Sequence, residues 1–526
     1  MERRRGSQVI ANRGADRLIK RDVGSSFDAA IHVRIEEDFT LDAIAEERRY
    51  SIERWSDGTK TKLPPGETSV RFEVPDIYRI EGVTPAARRW IVVGPPAESR
   101  IYTVIPRVAG PISQWGGWLD HAAELGFDAI RVLPVTVMGA SLSPYAVSEH
   151  FSIDSSLQPG SELERLAAFD AFIDECARRS MKVCLDLVLN HVAIGGKTAL
   201  EHPEWLVHDA EEDDGIKRSG WNDGASWNSW RDLAKLDFES FSEADAESLT
   251  EYLVEYARFW AERAARTRGI LRLDNLHSSN YVFMERLLRI LRSEYRDVTI
   301  LGELFGEEQA IRRTTNRFGV NLILGTPWEH KFVPELRGYI RYVHSQFRTL
   351  GIHVPVSSHD SGTIAEEFGT STATPARYVS AVLMGTGSTG MVMGVEYGER
   401  ERIDFIGPPE RYAVPGEENF AEMIALVNAL HRDNAVFRRP GNIIFVDTNH
   451  IAILAALRID PSTGKPLFLI CANFDTESNQ ILKLQELTIG SISLEDTLSS
   501  SSYIWRDRLE IELMPGGVAA FRCNTD

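Results

Sequence analysis

The chain has 526 residues, more than one typical domain holds, so we expect a large domain with smaller modules attached to it. Hydrophobic residues make up 43% and charged residues 26%, proportions that exclude a mostly disordered chain. The net charge of −19 disfavours nucleic acid or an anionic membrane as the main partner and leaves a neutral substrate.

The N-terminal quarter predicts two segments. Residues 1–24 form a flexible basic tail, because Arg3 to Arg21 carry several positive charges and no apolar segment of signal-peptide length follows them. Residues 25–97 alternate short apolar and polar stretches, which predicts a small β module. Pro95 and Pro96 favour extended backbone over helix and mark its end.

Cysteine usage and hydropathy bear on the compartment. The four cysteines are scattered and follow no metal-binding spacing, so we expect a reducing compartment. The longest apolar run, near residues 451–457, is far shorter than the roughly 20 residues that cross a bilayer. We therefore predict a soluble, cytoplasmic protein.

From residue 98 to 433, short apolar strands alternate with long amphipathic helices, the pattern of parallel βα units. Eight strands predict a (β/α)₈ barrel, whose repeat takes roughly 30 residues. The predicted strands are Tyr102–Val108, Asp128–Leu133, Lys182–Asn190, Ile270–Asp274, Thr299–Leu304, Val320–Leu324, Val354–Ser358 and Gly390–Gly394.

The spacing between acidic residues fits this repeat. Asp274 and Glu303 are 29 residues apart, about one repeat, and Asp360 follows Glu303 by 57 residues, close to two repeats. These residues would end strands four, five and seven. Asp186 precedes Asp274 by 88 residues, so an inserted lobe at about residues 191–240 is expected after strand three.

The lobe and the C-terminal region have distinct compositions. The lobe carries Trp205, Trp221, Trp227 and Trp230 among small polar residues, and these rings either stack on sugar or form the core of the lobe. Residues 434–526 return to short apolar strands, which predict an antiparallel β-sandwich.

Charged side chains occur inside strands that otherwise look buried. Arg272 and Asp274 share one parity of their strand, and Asp186 and Asn190 do so on theirs. A buried charge needs a partner or a function. Since working residues of a parallel barrel sit at the carboxyl ends of its strands, we expect one cluster there. Its predicted members are Asp186, Asp274, Glu303, Asp360, Arg272, His191 and His359.

Two carboxyl groups on adjacent strands can cleave an acetal by double displacement. Asp274 would be the nucleophile, kept ionised by Arg272 two residues away. Glu303 would be the general acid/base, because its apolar sequence neighbours favour the protonated form.

Four segments fall at these strand ends: Leu185–His191, Gly269–Asp274, Leu301–Leu304 and Ser357–Asp360. Together they resemble the motifs of the α-amylase superfamily of glycoside hydrolases and transglycosidases. The resemblance implies that Asp360 grips sugar hydroxyls and that Arg272, His191 and His359 line the same glucose subsite. Tyr145, in the stretch Ser143–Asp154, would stack under the reacting sugar.

Residues 275–280, after the nucleophile, lack the Lys-His pair of many simple amylases. They are more similar to the glucanotransferase part of glycogen debranching enzymes and to maltosyltransferases that use maltose 1-phosphate. We therefore predict a 4-α-glucanotransferase acting on malto-oligosaccharides or glycogen-type glucans. An α-amylase-type hydrolase, a maltosyltransferase using maltose 1-phosphate and a non-catalytic glucan-binding protein remain alternatives.

No cofactor or metal is predicted to be required. Asn190 matches a calcium-ligand position of amylases, but calcium needs six or more oxygen ligands. The expected partner is an α-glucan or malto-oligosaccharide. Neither nucleic acid nor membrane is expected, and the sequence does not indicate an oligomeric state.

Overall fold

The structure is a computed structural model that describes residues 30–34, 38–41, 50–81, 89–95, 98–222, 227–346, 350–414, 418–448, 450–485, 490–499 and 501–525. The predicted basic tail, residues 1–24, lies outside them. Among the described residues, no helix is both long enough and apolar enough to cross a membrane.

A closed barrel of eight parallel strands forms the centre of the molecule, which confirms the predicted (β/α)₈ fold. All eight predicted strands are present, although their bounds shift by a few residues. In chain order the strands are β1 (Arg100–Val104), β2 (Ala129–Val132), β3 (Lys182–Leu187), β4 (Ile270–Leu273), β5 (Thr299–Gly302), β6 (Leu322–Leu324), β7 (Ile352–Pro355) and β8 (Ser388–Val392).

Amphipathic helices cover the outside of the barrel. The helix Tyr281–Glu294 shows why they form, because Asn280 caps its first N–H groups and Phe283, Leu287 and Leu291 bury one face at four-residue spacing. The other α-helices of the described residues are Gly116–Glu124, Glu162–Arg178, Lys197–Glu201, Glu243–Ala265, Glu308–Phe318, Val333–Ser345, Ile364–Phe368, Thr374–Leu383 and Ala421–Asp433.

Two small sheets rise from the carboxyl end of the barrel. The strands Thr136–Met138 and Val147–Ile153 pair after β2, and the chain between them carries Tyr145. After β3, a three-stranded antiparallel sheet forms the inserted lobe, with Trp227–Lys235 between His191–Ala193 and Arg218–Asn222.

The chain forms β-sheets both before and after the barrel segment. The N-terminal strands are Ile31–Arg34, Asp38–Thr40, Ser51–Arg54, Lys60–Lys62, Ser69–Arg71, Asp76–Glu81 and Arg89–Gly94, in a five-stranded and a two-stranded sheet. The C-terminal strands are Ile443–Phe445, Ile453–Ile459, Pro466–Asn473, Gln480–Leu484, Ile492–Asp496, Ser502–Trp505, Leu509–Leu513 and Val518–Thr525. They form antiparallel sheets of six and two strands with a shared apolar core. The predicted domain boundaries remain predictions.

Candidate active site

The carboxylates predicted to cluster lie at the carboxyl ends of their strands. Asp186 lies within β3, Asp274 follows β4, Glu303 follows β5 and Asp360 lies in the loop after β7. The cause is local, because alternate residues of each strand point into the barrel while the others pack against the helices. Asp186 and Asp274 are buried, and Asp360 is exposed at the mouth.

The backbone ladder extends past the strand ends and fixes the two candidate catalytic residues. The Asp274 N–H donates to the carbonyl of Leu187, and the Glu303 N–H donates to the carbonyl of Leu273. Both residues therefore start from rigid backbone on neighbouring strands, which is the support that catalytic geometry needs.

One guanidinium group joins three of these carboxylates. Arg272 on β4 is 2% exposed, and its Nη1 lies 2.9 Å from Asp186 Oδ2 and 3.1 Å from Asp274 Oδ1. Its Nη2 lies 2.9 Å from Glu303 Oε1. The predicted nucleophile and the predicted acid/base thus bind opposite branches of a single cation.

Glu303 does not sit in the apolar setting that its sequence neighbours predicted. Its Oε1 pairs with Arg272, and its Oε2 accepts a 2.8 Å hydrogen bond from the Asn275 N–H. Asn275 adopts a left-handed conformation with φ of 48°, which aims this N–H at the carboxylate. The prediction failed because Arg272 and the Asn275 N–H reach the carboxylate from the neighbouring strand and its turn, contacts that sequence neighbours do not reveal.

The expectation that Arg272 keeps Asp274 ionised is also wrong. Burial and the nearby charge of Glu303 raise the pKa of Asp274 well above its usual range, and Arg272 offsets this only in part. The reason is that Arg272 also serves Asp186 and Glu303, so its charge is divided among three carboxylates. Asp274 therefore retains a proton at higher pH than an isolated aspartate would.

Arg131 on β2 belongs to the site although the sequence analysis missed it. It is buried and grips Asp186 with two hydrogen bonds, 2.9 Å from Nε to Oδ1 and 2.6 Å from Nη2 to Oδ2. Burial raises the pKa of Asp186, but Arg131 and then Arg272 outweigh burial and lower it overall. The same signal used for Arg272, a charge within an apolar strand, marks Arg131 in the sequence.

Tyr145 and His359 form an aromatic pair in the pocket at the barrel mouth, which Asp274, Glu303 and Asp360 also line. Their rings stack with centroids 5.3 Å apart and planes 20° apart. The Tyr145 hydroxyl donates to Asp186 Oδ2 at 2.8 Å and lies 2.8 Å from His359 Nε2. Because Arg131 can only donate, His359 Nδ1 accepts from it at 3.4 Å, and the ring proton resides on Nε2.

His191 starts the first strand of the lobe and lies against the same pocket. Its Nε2 donates to the carbonyl of Tyr145 at 3.1 Å, and its Nδ1 has no hydrogen-bond partner among the described residues. Burial lowers the pKa of His191 to about 4, so the ring is neutral at pH 7.

Asp360 occupies the open side of the cluster. Its side chain is 53% exposed, and one oxygen lies 3.0 Å from His359 Nε2. Partial burial at the mouth and the charge of Glu303 raise the pKa of Asp360 to about 6. Its outer oxygen remains accessible to a ligand that enters from solvent.

The donor set does not resemble a metal centre. Within the described parts of the chain, no three His, Cys, Asp or Glu side chains are grouped so that they could hold a metal ion. Asn190 directs its amide nitrogen to Ser278 Oγ at 2.8 Å, on the side facing the turn after β4.

Comparison with protein families gives a match to the glucanotransferase domain of glycogen debranching enzyme over residues 95–208. The chain is also 23% identical over 479 residues to an α-1,4-glucan:maltose-1-phosphate maltosyltransferase of Arcanobacterium haemolyticum, covering 80% of this chain and 66% of that protein. A protein of the same name from Rhodospirillum rubrum is 25% identical over 474 residues, covering 79% and 65%. The chain thus spans about two thirds of the length of these relatives.

Solved structures share the fold. An α-amylase from Lactobacillus plantarum superposes with a TM-score of 0.64 at 16% identity, covering 80% of this chain and 98% of that one. A trehalulose synthase from Pseudomonas mesoacidophila gives 0.64 at 14% identity, covering 81% and 99%. Together these comparisons confirm the resemblance to the α-amylase superfamily of glycoside hydrolases and transglycosidases.

Proposed function

Since motifs, family match and fold all point to the α-amylase superfamily, we propose that the chain is a retaining α-glucan transferase, specifically a 4-α-glucanotransferase. The observation that carries the proposal is the shared guanidinium, because Arg272 holds Asp274 and Glu303 on adjacent strands. Carboxyl groups of a retaining enzyme must lie about 5 to 5.5 Å apart, a separation that neighbouring barrel strands provide.

In the proposed reaction, the proton that the raised pKa of Asp274 keeps in the cluster resides on Glu303 when a glycosidic oxygen approaches. Glu303 donates this proton to the departing oxygen while the ionised carboxylate of Asp274 attacks the anomeric carbon. The bond to the leaving glucan breaks and a glycosyl ester with Asp274 forms. Glu303, now ionised, takes the proton from an acceptor hydroxyl as that oxygen attacks the same carbon and releases Asp274. Two inversions give net retention of the α configuration.

The other residues of the pocket would hold the glucose ring during this exchange. The exposed carboxylate of Asp360 accepts hydrogen bonds from sugar hydroxyls. The Tyr145 ring offers an apolar face for stacking, while its hydroxyl ties it to Asp186.

Transfer rather than hydrolysis is supported by the leaving-group side of the pocket. His277 and Phe305 lie beside Glu303, with ring centroids 5.7 Å apart. Both rings are partly exposed, so together they offer a sugar a binding surface and displace water from the position next to the acid/base. The family match to a glucanotransferase domain favours the same outcome.

The names of the relatives supply a second candidate. If the chain shares their donor, it transfers maltosyl units from maltose 1-phosphate to an α-1,4-glucan. The nucleophile and acid/base would be the same, and phosphate would replace the leaving glucan. An α-amylase-type hydrolase and a non-catalytic glucan-binding protein are the further alternatives.

Incubation with maltoheptaose separates these functions. We expect redistribution into longer and shorter oligomers without a net gain of reducing ends. A net gain would indicate a hydrolase, and growth of the oligomers only after maltose 1-phosphate is added would indicate the maltosyltransferase. An unchanged profile with both donors would favour binding alone.

The variant Asp274→Asn should abolish turnover but retain glucan binding, whereas an active Asp274→Asn enzyme would overturn the nucleophile assignment.

A further inference from the structure

Two tryptophans lie side by side on the inserted lobe. The edge strand Arg218–Asn222 pairs with Trp227–Lys235 so that Trp221 is opposite Asn228. Since residues two apart share a face of a strand, Trp230 lies diagonally across from Trp221 on that face. Their ring centroids are 5.4 Å apart and the planes are inclined by 33°.

The inner member of this pair reaches the catalytic pocket. The ring of Trp230 lies 6.4 Å from the ring of His191. Trp230 also packs against a small apolar cluster that contains Ala146, the residue directly after Tyr145. The pair is therefore continuous with the wall of the pocket that holds Tyr145 and His191.

The outer member does little for the stability of the lobe. Trp221 is 44% exposed on an edge strand, whereas Trp205 in the same lobe is 4% exposed and stacks on His202 at 3.7 Å. Burial of apolar surface stabilises a fold only where water is removed. Trp205 thus serves the core, and Trp221 leaves an aromatic face in solvent beside the pocket.

We infer that Trp221 and Trp230 form an accessory sugar subsite that stacks on a glucose unit of the α-glucan chain, outside the position of the reacting sugar. The identity of the occupant rests on the proposed function. An α-glucan is neutral and offers apolar ring faces, which suit an uncharged aromatic platform. The platform selects for chain length, because only an oligosaccharide that fills the pocket and extends beyond it can reach Trp221.

The test measures binding in full-length protein that carries Asp274→Asn, so that no substrate is consumed. Maltoheptaose and maltotriose are titrated by calorimetry into this parent and into the same protein with Trp221→Ala added. We expect the Kd for maltoheptaose to rise roughly five- to tenfold and the Kd for maltotriose to stay within about twofold. Trp221→Tyr, which keeps an aromatic face, should restore most of the lost affinity.

Ile504→Ala is the matched control, since Ile504 is a 73% exposed apolar residue of the C-terminal sheets. Unchanged maltoheptaose affinity in Trp221→Ala, or an equal loss for both oligosaccharides, would overturn the subsite. Absence of maltoheptaose binding by the parent would overturn both the subsite and the proposed function. Trp221-dependent binding without any turnover by the wild type would leave the subsite standing and remove only the proposed function.

Discussion

Two buried arginines face four carboxylates at the barrel mouth. Among the carboxylates that the structure describes, Arg131 pairs with Asp186 alone, whereas Arg272 contacts Asp186, Asp274 and Glu303. Negative charge therefore exceeds positive charge, and a buried excess charge is relieved by keeping a proton. This imbalance explains why the pKa of Asp186 is lowered and the pKa of Asp274 is raised.

This imbalance predicts that Asp274→Asn stabilises the folded protein at neutral pH. A carboxyl group with a raised folded-state pKa favours folding when protonated, and this benefit disappears as the pH rises through that pKa. We expect the melting temperature at pH 7 to rise by about 1 to 3 °C. The gain should vanish below the ordinary aspartate pKa of 3.8, where Asp274 is protonated in both states, as thermal unfolding at several pH values can show.

Asp186→Asn is the matched comparison and should act in the opposite direction. The folded-state pKa of Asp186 is lowered, so its ionised form contributes stability above its usual range, and this contribution is lost as the pH falls. Removing it leaves Arg131 without its only carboxylate partner in the described structure. Equal shifts of melting temperature for the two variants would contradict this charge balance.

Phe305 is predicted to keep water away from the glycosyl intermediate. Its partly buried ring lies beside His277, two residues after Glu303, where an acceptor sugar would approach the glycosyl intermediate. Phe305→Ala should admit water and raise the ratio of hydrolysis to transfer on maltoheptaose by roughly tenfold, since water exclusion protects reactive intermediates. Phe305→Tyr should retain the wild-type ratio. The ratio is measured by comparing the number of new reducing ends with the amount of redistributed oligomers. An unchanged ratio in Phe305→Ala would show that Phe305 does not exclude water from the intermediate.

At the scale of elements, the ends of the strands determine the chemistry. The turn after β4 holds Asn275 at a φ of 48°, where its N–H bonds Glu303 Oε2. Asn275→Gly keeps both the conformation and the N–H, so kcat should stay within about threefold of the wild type. Asn275→Val strains the backbone and should lower kcat more than tenfold. If the two variants show equal kcat, the turn does not position Glu303.

The barrel and its acidic cluster could be predicted because both follow repeated local patterns. Alternating apolar strands and helices indicated eight βα units, and the strand-end acids followed their spacing. The polar environment of Glu303 could not be read from its neighbours, because Arg272 and the Asn275 N–H arrive from another strand. The division of one guanidinium among three carboxylates is likewise a tertiary contact that no local pattern records.

The roles of the tryptophans in the inserted lobe could not be predicted from the sequence either. The composition of the lobe left sugar stacking and core packing equally open for them. Only the tertiary structure separates them, because Trp205 is buried in a short 3-10 helix against His202 and Tyr252, whereas Trp221 lies exposed on an edge strand. Chain-length selection is therefore a property of how the lobe is placed on the barrel rather than of its sequence alone.

At the scale of the whole molecule, Arg458 ties the C-terminal sheets to the barrel. It lies on the strand Ile453–Ile459, is fully buried, and donates to the carbonyls of Leu383 and Gly385 at the end of a barrel helix. It also donates to the carbonyls of Val436 and Arg439 in the connecting segment. Burial, with no carboxylate partner in the described part of the chain, lowers the pKa of Arg458 to about 9, and the carbonyls compensate its charge.

Arg458→Met should therefore weaken the attachment of the C-terminal sheets more than their internal folding. Four carbonyls lose a donor together, although that of Val436 keeps the Asn442 amide, and each buried group left unsatisfied costs about 1 to 3 kcal/mol. We expect limited proteolysis to cut near residues 434–442 and thermal unfolding to begin several degrees lower. Lys483→Met is the control, because its ion pair with Glu510 lies exposed on the two-stranded sheet and contributes little. Equal protease resistance of Arg458→Met and Lys483→Met would show that other contacts hold the sheets against the barrel.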